Sequence, residues 1–367
     1  MILSELSIIN FKNYEEANLQ LSETINCFLG DNGGGKTNIL DAIYYLSFCK
    51  SHFNPIDSQN INHDAPFFVV EGYFNNQTET DRVYCGVKRG QKKVFKYNKK
   101  EYTKLADHIG KIPLVIITPA DTSLIIDGSD VRRKFVDGII CQYDNSYLNN
   151  LLNYNKALQQ RNLLLKSFWN NRNFDAASLE IWDDQLIQFG KYIHQARQEF
   201  VEQFTPFFQE YYTLLSNQKE KVFLLYDSKL NDTYFETLLQ QSLEKDKATS
   251  YTNVGIHKDD LVFNIGEFPI KKFGSQGQQK TYLLALKLAQ AALIQNIKNT
   301  KVTLLLDDIY DKLDNKRMNQ LINIVGSKQF GQTFITDTSF DRIPSILESE
   351  KLSFKVFNVA NGKIEKQ

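Results

Sequence analysis

The sequence predicts an α/β chain with a mostly helical lobe inserted in it, and three observations predict it. Short β-type runs open the chain and lead into a glycine-rich turn, residues 145–216 carry long helical periodicity with few glycines, and the last third returns to alternating strands and helices. At 367 residues the chain has room for more than one domain, given a usual domain of roughly 150 residues.

Taken in order, "LSELSIINF", "EEANLQLS" and "TINCFLG" read as strands, and the third runs straight into "GDNGGGKTNIL". Beyond it Ile39, Leu40, Ile43, Tyr44 and Leu46 fall at helical spacing, so residues 30–37 join a strand to a helix. Between residues 67 and 102, "FFVVEGYF", "RVYCGVKRG" and "KKVFKYN" predict a small antiparallel sheet, and "KIPLVIITPAD" a buried strand ended by Pro119. Helices follow over residues 145–169 and 178–216, with Pro206 expected to break or kink the second. A helix over residues 277–296, strand "KVTLLLDD", helix "NKRMNQLINIVGS" and strand "GQTFITDTS" complete the pattern.

Composition narrows the class of protein. Hydrophobic residues are 42% and charged residues 23%, as in folded domains, and no apolar run approaches the roughly 20 residues that span a bilayer. The opening "MILSELSIIN" has no basic leader or cleavage site, so the reading is a cytoplasmic protein with no membrane partner. Cys27, Cys49, Cys85 and Cys141 lack metal or disulfide spacing and read as buried thiols, and the five histidines are equally scattered. Lys+Arg and Asp+Glu are both 43, so a nucleic-acid partner has to be argued from local clustering.

Gly30, Gly35, Lys36 and Thr37 satisfy G-x-x-x-x-G-K-[ST], in the strand-to-helix setting that this loop needs. Glycines let backbone N–H groups approach a nucleotide's phosphates, and the following helix N-terminus favours the anion. Lys36 would reach the β- and γ-phosphates, and the Thr37 hydroxyl would ligate Mg²⁺. The same chemistry needs a carboxylate at the end of a neighbouring buried strand, which "VTLLLDD" supplies: Asp307 would hold Mg²⁺ through water and Asp308 would polarise the attacking water. "FGSQGQQKTYLLALKLAQ" is a second Gly/Ser/Gln-rich turn opening a helix. It reads either as a helix cap or as an anion cradle, through Ser275 and Gly277, for the nucleotide of a second subunit.

Local charge is concentrated in one place. Lys88, Arg89, Lys92, Lys93, Lys96, Lys99, Lys100 and Lys104 face only Glu101, with Phe95 and Tyr97 interleaved. This is either a solvated hairpin edge kept from aggregating by lysines or a patch that neutralises DNA phosphates without reading sequence. Arg132 and Arg133 in "DVRRKFVD" are a second candidate, with Asp130 and Asp137 as possible salt-bridge partners.

The order "GDNGGGKTN", "GSQGQQ", "LLLDD" and Leu313–Asp314 resembles the ABC-type ATPases of DNA maintenance that include the SMC-like proteins. "NFKNYEEANLQL", "KTNILDAIYYLS", "TPADTSLIIDGSDVRRKFVD", "YNKALQQRNLLL", "IWDDQLIQFGKYI" and "GIHKDDLVF" narrow the resemblance to the bacterial RecF family, in order and across nearly the whole chain. The resemblance implies an SMC-like ABC-type ATPase head with an inserted, mostly helical arm: residues 1–120 a first ATPase lobe, 121–294 the arm ending in the signature, and 295–367 the rest of the core. It further implies ATP contacts from Gly30, Asp31, Asn32, Gly33, Gly34, Gly35, Lys36, Thr37 and Asn38. Ser275, Gln276, Gly277, Gln278 and the D-loop Asp314 would act in trans across an ATP-dependent homodimer. Mg²⁺ would lie at Thr37 and Asp307, and Lys36 and Asp308 would be catalytic.

The resemblance also implies a weak, DNA-stimulated ATPase that engages gapped or ss/ds-junction DNA, works with RecR and RecO to load RecA, and serves repair, replication and the SOS response. It tips the basic hairpin toward DNA. Three blocks depart from the family pattern: Ile256 and Lys258 stand where Pro and Arg are usual, His52 and Phe53 follow "KS" where an Arg often stands, and "ITDTS" has no switch histidine, leaving Asp337 or Thr338. "TPAD" occupies the expected Q-loop place. Other readings are an ABC-type ATPase or P-loop phosphotransferase acting on a substrate other than DNA. A transporter subunit would carry the switch histidine, and an SMC tether would need long coiled coils.

Overall fold

The computed structural model describes residues 1–76, 79–216, 220–308 and 315–366. Its elements, in chain order, begin with β1 (Ile2–Phe11), β2 (Tyr14–Gln20), β3 (Ile25–Leu29), α1 (Lys36–Phe48), β4 (Phe67–Asn76), β5 (Glu79–Lys88), β6 (Val94–Tyr97), β7 (Lys100–Glu101) and β8 (Leu114–Ile117). There follow α2 (Ser123–Ile126), α3 (Ser129–Ile140), α4 (Asn145–Asn171), α5 (Ala176–Ser216), β9 (Val222–Asp227), α6 (Phe235–Thr249), β10 (Asp260–Ile265), β11 (Phe268–Pro269), α7 (Ile270–Phe273) and α8 (Gln276–Lys298). The last are β12 (Thr303–Leu306), α9 (Asn315–Gly326), β13 (Thr333–Asp337), α10 (Arg342–Ser349), β14 (Phe354–Ala360) and β15 (Lys363–Lys366).

Two compact units emerge, one of Met1–Asp121, Tyr211–Gln218 and Lys280–Gln367, the other of Thr122–Glu210 and Lys219–Gln279. In the first, an antiparallel sheet of order β2-β1-β4-β5-β6-β7 accompanies a second sheet of order β15-β14-β3-β13-β12-β8. In the latter β14, β3, β13, β12 and β8 run parallel and β15 is an antiparallel edge. β3, β8, β12 and β13 are buried at every residue, as strands covered on both faces must be, so they read as apolar runs without alternation. One apolar cluster joins Leu6, Ile8, Val70 and Val83 of the antiparallel sheet, Leu40, Ile43 and Leu46 of α1, and Phe28, Leu305 and Phe334 of the parallel sheet. Gln332 fastens the two sheets: its carboxamide accepts from Leu3 N–H (2.9 Å) and donates to the Leu3 and Ser22 carbonyls (2.8 and 2.6 Å).

The second unit carries the long helices. Pro206 does not end α5, which runs unbroken over 41 residues. Phe204 and Phe208 beside the proline are fully buried, and that packing outweighs the one hydrogen bond a helix loses at proline. Buried arginines organise the unit: Arg161 pairs with Asp183 (2.5 Å) and Asp246 (2.7 Å), and Arg197 with Asp137 (2.8 Å) and the Ile256 carbonyl (2.8 Å). The three-stranded sheet β11-β10-β9 was not expected from the helical texture around it. Arg132 and Arg133 also differ from expectation. Arg132 makes a bidentate pair with Asp260 (2.7 and 2.8 Å), and Arg133 donates to Ser129 Oγ and the Asp259 carbonyl. Asp130 instead faces Lys134, and Asp137 faces Arg197.

Each unit encloses a neutral histidine, His108 fully and His257 in part. His108 lies between the Leu46 carbonyl (2.7 Å) and Tyr102 OH (3.2 Å), and His257 between the Thr252 carbonyl (3.0 Å) and Tyr154 OH (2.8 Å). Burial lowers both to a pKa of about 4. Their depressed values mean that the unfolded chain takes up protons first, so the stability they contribute is whole above the ordinary histidine pKa, roughly 6.5, and is lost as pH falls toward 4. Thermal melting should therefore drop steeply across that window, and His257→Gln should flatten the slope; a slope equal to that of the parent chain would contradict this.

Candidate nucleotide and DNA sites

The glycine-rich loop leaves β3 at Gly30 and enters α1 at Lys36. Gly30 has φ +154°, and a Cβ there would lie 2.0 Å from the Val359 carbonyl oxygen; Gly35 has φ +116°, and its Cβ would lie 2.6 Å from Asn13 Nδ2. Only glycine fits at these two positions. Asp31, Asn32 and Gly33 are exposed along the loop's outer side, while Gly34 and Gly35 are buried against Asn13 and Tyr14. Asn13 Nδ2 donates to the Gly34 carbonyl (3.1 Å), Asn38 Nδ2 donates to Asn13 Oδ1 (2.7 Å), and Tyr14 OH donates to the Gly35 carbonyl (3.1 Å). From the other side Gly362 N–H, in the Asn361–Gly362 turn between β14 and β15, donates to the Gly34 carbonyl (3.0 Å). No side chain caps the N-terminus of α1, and the Asn38 N–H donates to the Gly35 carbonyl (2.9 Å).

The carboxylates arrive from parallel strands. Asp307 follows β12 and is 4% exposed. It accepts from the Thr37 hydroxyl at 2.9 and 3.1 Å, a contact between residues 270 apart in sequence. Thr336 at the end of β13 donates its hydroxyl to Asp307 Oδ1 (2.9 Å) and accepts from Asp308 N–H (2.9 Å). Burial pushes the Asp307 carboxyl up from its ordinary value, with Asp308 adding to the rise and the Thr37 and Thr336 hydroxyls and Lys36 opposing it. Lys36, 3% exposed, donates to the Gly30 and Asp31 carbonyls at 2.8 and 3.0 Å, which folds its ammonium over the loop. Asp308 has φ 43° and is partly exposed beside Asp307. Lys36, Thr37, Asp307 and Asp308 are thus brought together. Thr336 and the Asn13, Tyr14 and Gly362 brace escaped sequence reasoning.

The Q-loop place and two of the departures from the family pattern have definite settings. Asp121 in "TPAD" accepts from Thr118 N–H (2.7 Å) and pairs with Lys287 Nζ (2.6 Å). Asp41, fully buried on α1, accepts from His52 N–H (2.7 Å) and Ser51 Oγ (2.6 Å) and pairs with Lys12 (2.6 Å). Asp337 is buried at the end of β13, where its carbonyl accepts from Gly30 N–H (3.3 Å). In the other unit, Ser275 and Gln276 are exposed at the start of α8. Ser275 N–H donates to Gln278 Oε1 (2.7 Å) and Gln278 N–H to Ser275 Oγ (3.2 Å), a reciprocal capping box. Gln278 Nε2 donates to Glu220 (2.8 Å). Asp314 lies outside the described residues.

On the basic hairpin Lys88, Arg89, Lys92, Lys99 and Lys100 are exposed, and Lys96 is partly exposed with its ammonium 5.8 Å from the Tyr84 ring centroid. Arg82, Tyr84, Lys96 and Lys99 line a cavity of about 140 Å³. Lys93 departs from expectation. Its side chain is 13% exposed and turned inward to Asp57 (2.8 Å), so it does not face solvent with the other lysines. All four cysteines are buried and free, no group of three or more His, Cys, Asp or Glu among the described residues could hold a metal ion, and no described helix is long and apolar enough to cross a membrane.

The family model described as RecF/RecN/SMC N terminal domain matches residues 2–364. A "DNA replication and repair protein RecF" of Phocaeicola vulgatus is 50% identical over 366 residues, covering 99% of this chain and 98% of its own length. The chain belongs to the RecF family. Among further relatives, the RecF protein of Flavobacterium johnsoniae is 49% identical over 359 residues, covering 98% of this chain and 100% of its own. A solved structure of the recombination mediator protein RecF with ATP, in the RecFOR pathway, superposes with a TM-score of 0.90 at 29% identity, covering 100% of this chain and 97% of that one. The Smc head domain of Pyrococcus furiosus, at 18% identity and a TM-score of 0.58, shares the fold of this RecF-family chain, an SMC-type ABC ATPase head.

Proposed function

We propose that this RecF-family chain is an ATP-dependent DNA-binding recombination mediator that closes as a dimer on gapped or ss/ds-junction DNA. The observation that carries the proposal is the convergence of Lys36, Thr37, Asp307, Asp308 and Thr336 at the ends of parallel strands around a glycine loop braced from both sides. The relative solved with ATP supports nucleotide as its ligand. Thr37 Oγ1 and the Asp307 carboxylate are oxygen donors in direct contact, a set that suits a hard cation, so Mg²⁺ would be held by the hydroxyl and, through water, by Asp307. When bound, the cation neutralises phosphate charge. The chain's own residues then divide the work: Lys36 leaves the loop carbonyls for phosphate oxygens, Asp308 orients and polarises the attacking water, and Thr336 holds the Asp308 backbone in place.

In this reading Ser275–Gln278 and Asp314 of one copy complete the nucleotide site of another, ATP closes the dimer, and slow hydrolysis releases it. RecR and RecO would be the partners through which RecA is loaded, in repair, replication and the SOS response. The basic hairpin supplies phosphate contacts. Lys92→Glu, Lys96→Glu and Lys99→Glu together should weaken duplex binding by about tenfold or more at low salt and flatten its salt dependence, with ATP affinity unchanged. Unchanged duplex affinity would remove the hairpin from the DNA site. ATP turnover measured with and without gapped duplex tests the enzyme directly: stimulation by DNA is the expected result, and turnover indifferent to DNA favours a substrate of another kind.

A further inference from the structure

Helix α1 has the phosphate loop at one end and the root of the basic hairpin at the other. Its 13 residues span about 20 Å, and it is packed into the core that joins both sheets of its unit. The helix closes at Cys49 in the left-handed conformation, φ 56°. Lys93 meets that end: its ammonium donates to the Cys49 carbonyl (2.6 Å), the Asp57 carboxylate (2.8 Å) and Tyr45 OH (3.3 Å), and lies 5.2 Å from the Tyr45 ring centroid. The Tyr45 hydroxyl in turn donates to the other Asp57 oxygen. A cation at a helix C-terminus complements both its unpaired carbonyl and its dipole. One residue after Lys93 comes β6, whose Phe95 lies in the core and whose Lys96 belongs to the basic surface.

We propose that Lys93 is a positioning residue that couples DNA on the hairpin to nucleotide in the phosphate loop, with α1 as the rigid link between them. The inference rests on the two sites proposed above. DNA phosphates load the hairpin through Lys92, Lys96 and Lys99, and Lys93 is the polar attachment by which the start of β6 holds the far end of the nucleotide-binding helix. Coupling of this kind is reciprocal, so ATP tightens DNA by the factor by which DNA tightens ATP.

The test uses the full chain, a labelled gapped duplex and ATP, with duplex affinity read by anisotropy with and without nucleotide. Lys93→Met should bind the duplex without ATP to within about twofold of the parent, yet lose at least about fivefold of the tightening that ATP produces. Lys93→Arg, which keeps charge and reach, should restore that tightening. A residue that served stability alone would lower the melting temperature of Lys93→Met and leave the tightening intact; that outcome overturns the inference and leaves the ATP and DNA sites standing. Weaker nucleotide-free binding with the tightening intact would make Lys93 a plain DNA contact and overturn it equally. A parent chain whose DNA affinity ignores ATP would overturn the functional reading itself, and this inference with it. If Lys93→Met does not fold, Asp57→Asn loosens the same attachment from its more exposed side, and unchanged tightening there also overturns the inference.

Discussion

Lys36→Ala should leave a folded chain that no longer holds ATP at any useful concentration. The Lys36 ammonium spans the Gly30 and Asp31 carbonyls at 2.8 and 3.0 Å, so a strong donor lies within the glycine loop. A hydrogen bond to a charged group contributes about 1.5–3 kcal/mol, so losing two of them weakens binding by a factor on the order of 10²–10⁴. Folding should survive. The brace of Asn13, Tyr14 and Gly362 does not use the lysine, and alanine is a good residue for the first turn of α1. Calorimetric titration with ATP, beside a melting curve without it, measures both halves. Affinity within about threefold of the parent would show that the loop does not hold phosphates as described.

Asp308→Asn should separate binding from turnover. Asparagine has the same shape and, like aspartate, tolerates the left-handed backbone found here at φ 43°. The Asp308 N–H that Thr336 Oγ1 accepts belongs to the main chain and is retained. What disappears is the negative charge that draws a proton from the attacking water, an effect of about 10²–10⁴ in rate. ATP should then bind normally, hydrolyse at least about a hundredfold more slowly and hold the dimer closed. Sedimentation of the variant with ATP and Mg²⁺ should show a persistent dimer. A variant that stays monomeric with ATP would contradict closure by nucleotide, and one that turns over at the parent rate would assign the base elsewhere.

Much of the candidate nucleotide site is legible because its chemistry is local in sequence. A glycine loop between an apolar strand and an apolar-periodic helix, and two aspartates after three leucines, state their own context. Thr336 was missed because its role depends on β12 and β13 lying side by side, with Leu306 opposite Ile335, and nothing local in "ITDTS" prefers it to Asp337 or Thr338. The Asn13 and Gly362 contacts likewise bring together residues far apart in the chain, although Asn361–Gly362 is itself a recognisable hairpin turn. Lys93 is more instructive. It sits two residues before buried Phe95, and the alternation of an extended chain that turns Phe95 inward also turns Lys93 inward and Lys92 outward. The signal was present, but eight cations counted as one patch concealed it.

In the inserted lobe, the helical texture does not reveal the small sheet. "KVFLLYD" and "DLVFNI" are short apolar runs whose length fits strand or helix, and only their pairing, Val222 opposite Ile265 through Asp227 opposite Asp260, decides for strand. Pro206 is a helix breaker by its local chemistry, while the aromatic packing around it is a tertiary fact. Sequence spacing offers Arg132 and Arg133 partners only along their own helix, whereas Asp259 and Asp260 are more than a hundred residues away in sequence.

On the proposed function, nucleotide binding and DNA binding are linked in this chain. Fluorescence anisotropy of a labelled duplex with a single-strand gap, titrated with the protein at fixed salt with and without ATP and Mg²⁺, tests it most directly. Binding should be tighter with ATP, by about fivefold or more, with no such gain for Lys36→Ala. Equal affinity with and without ATP would contradict it.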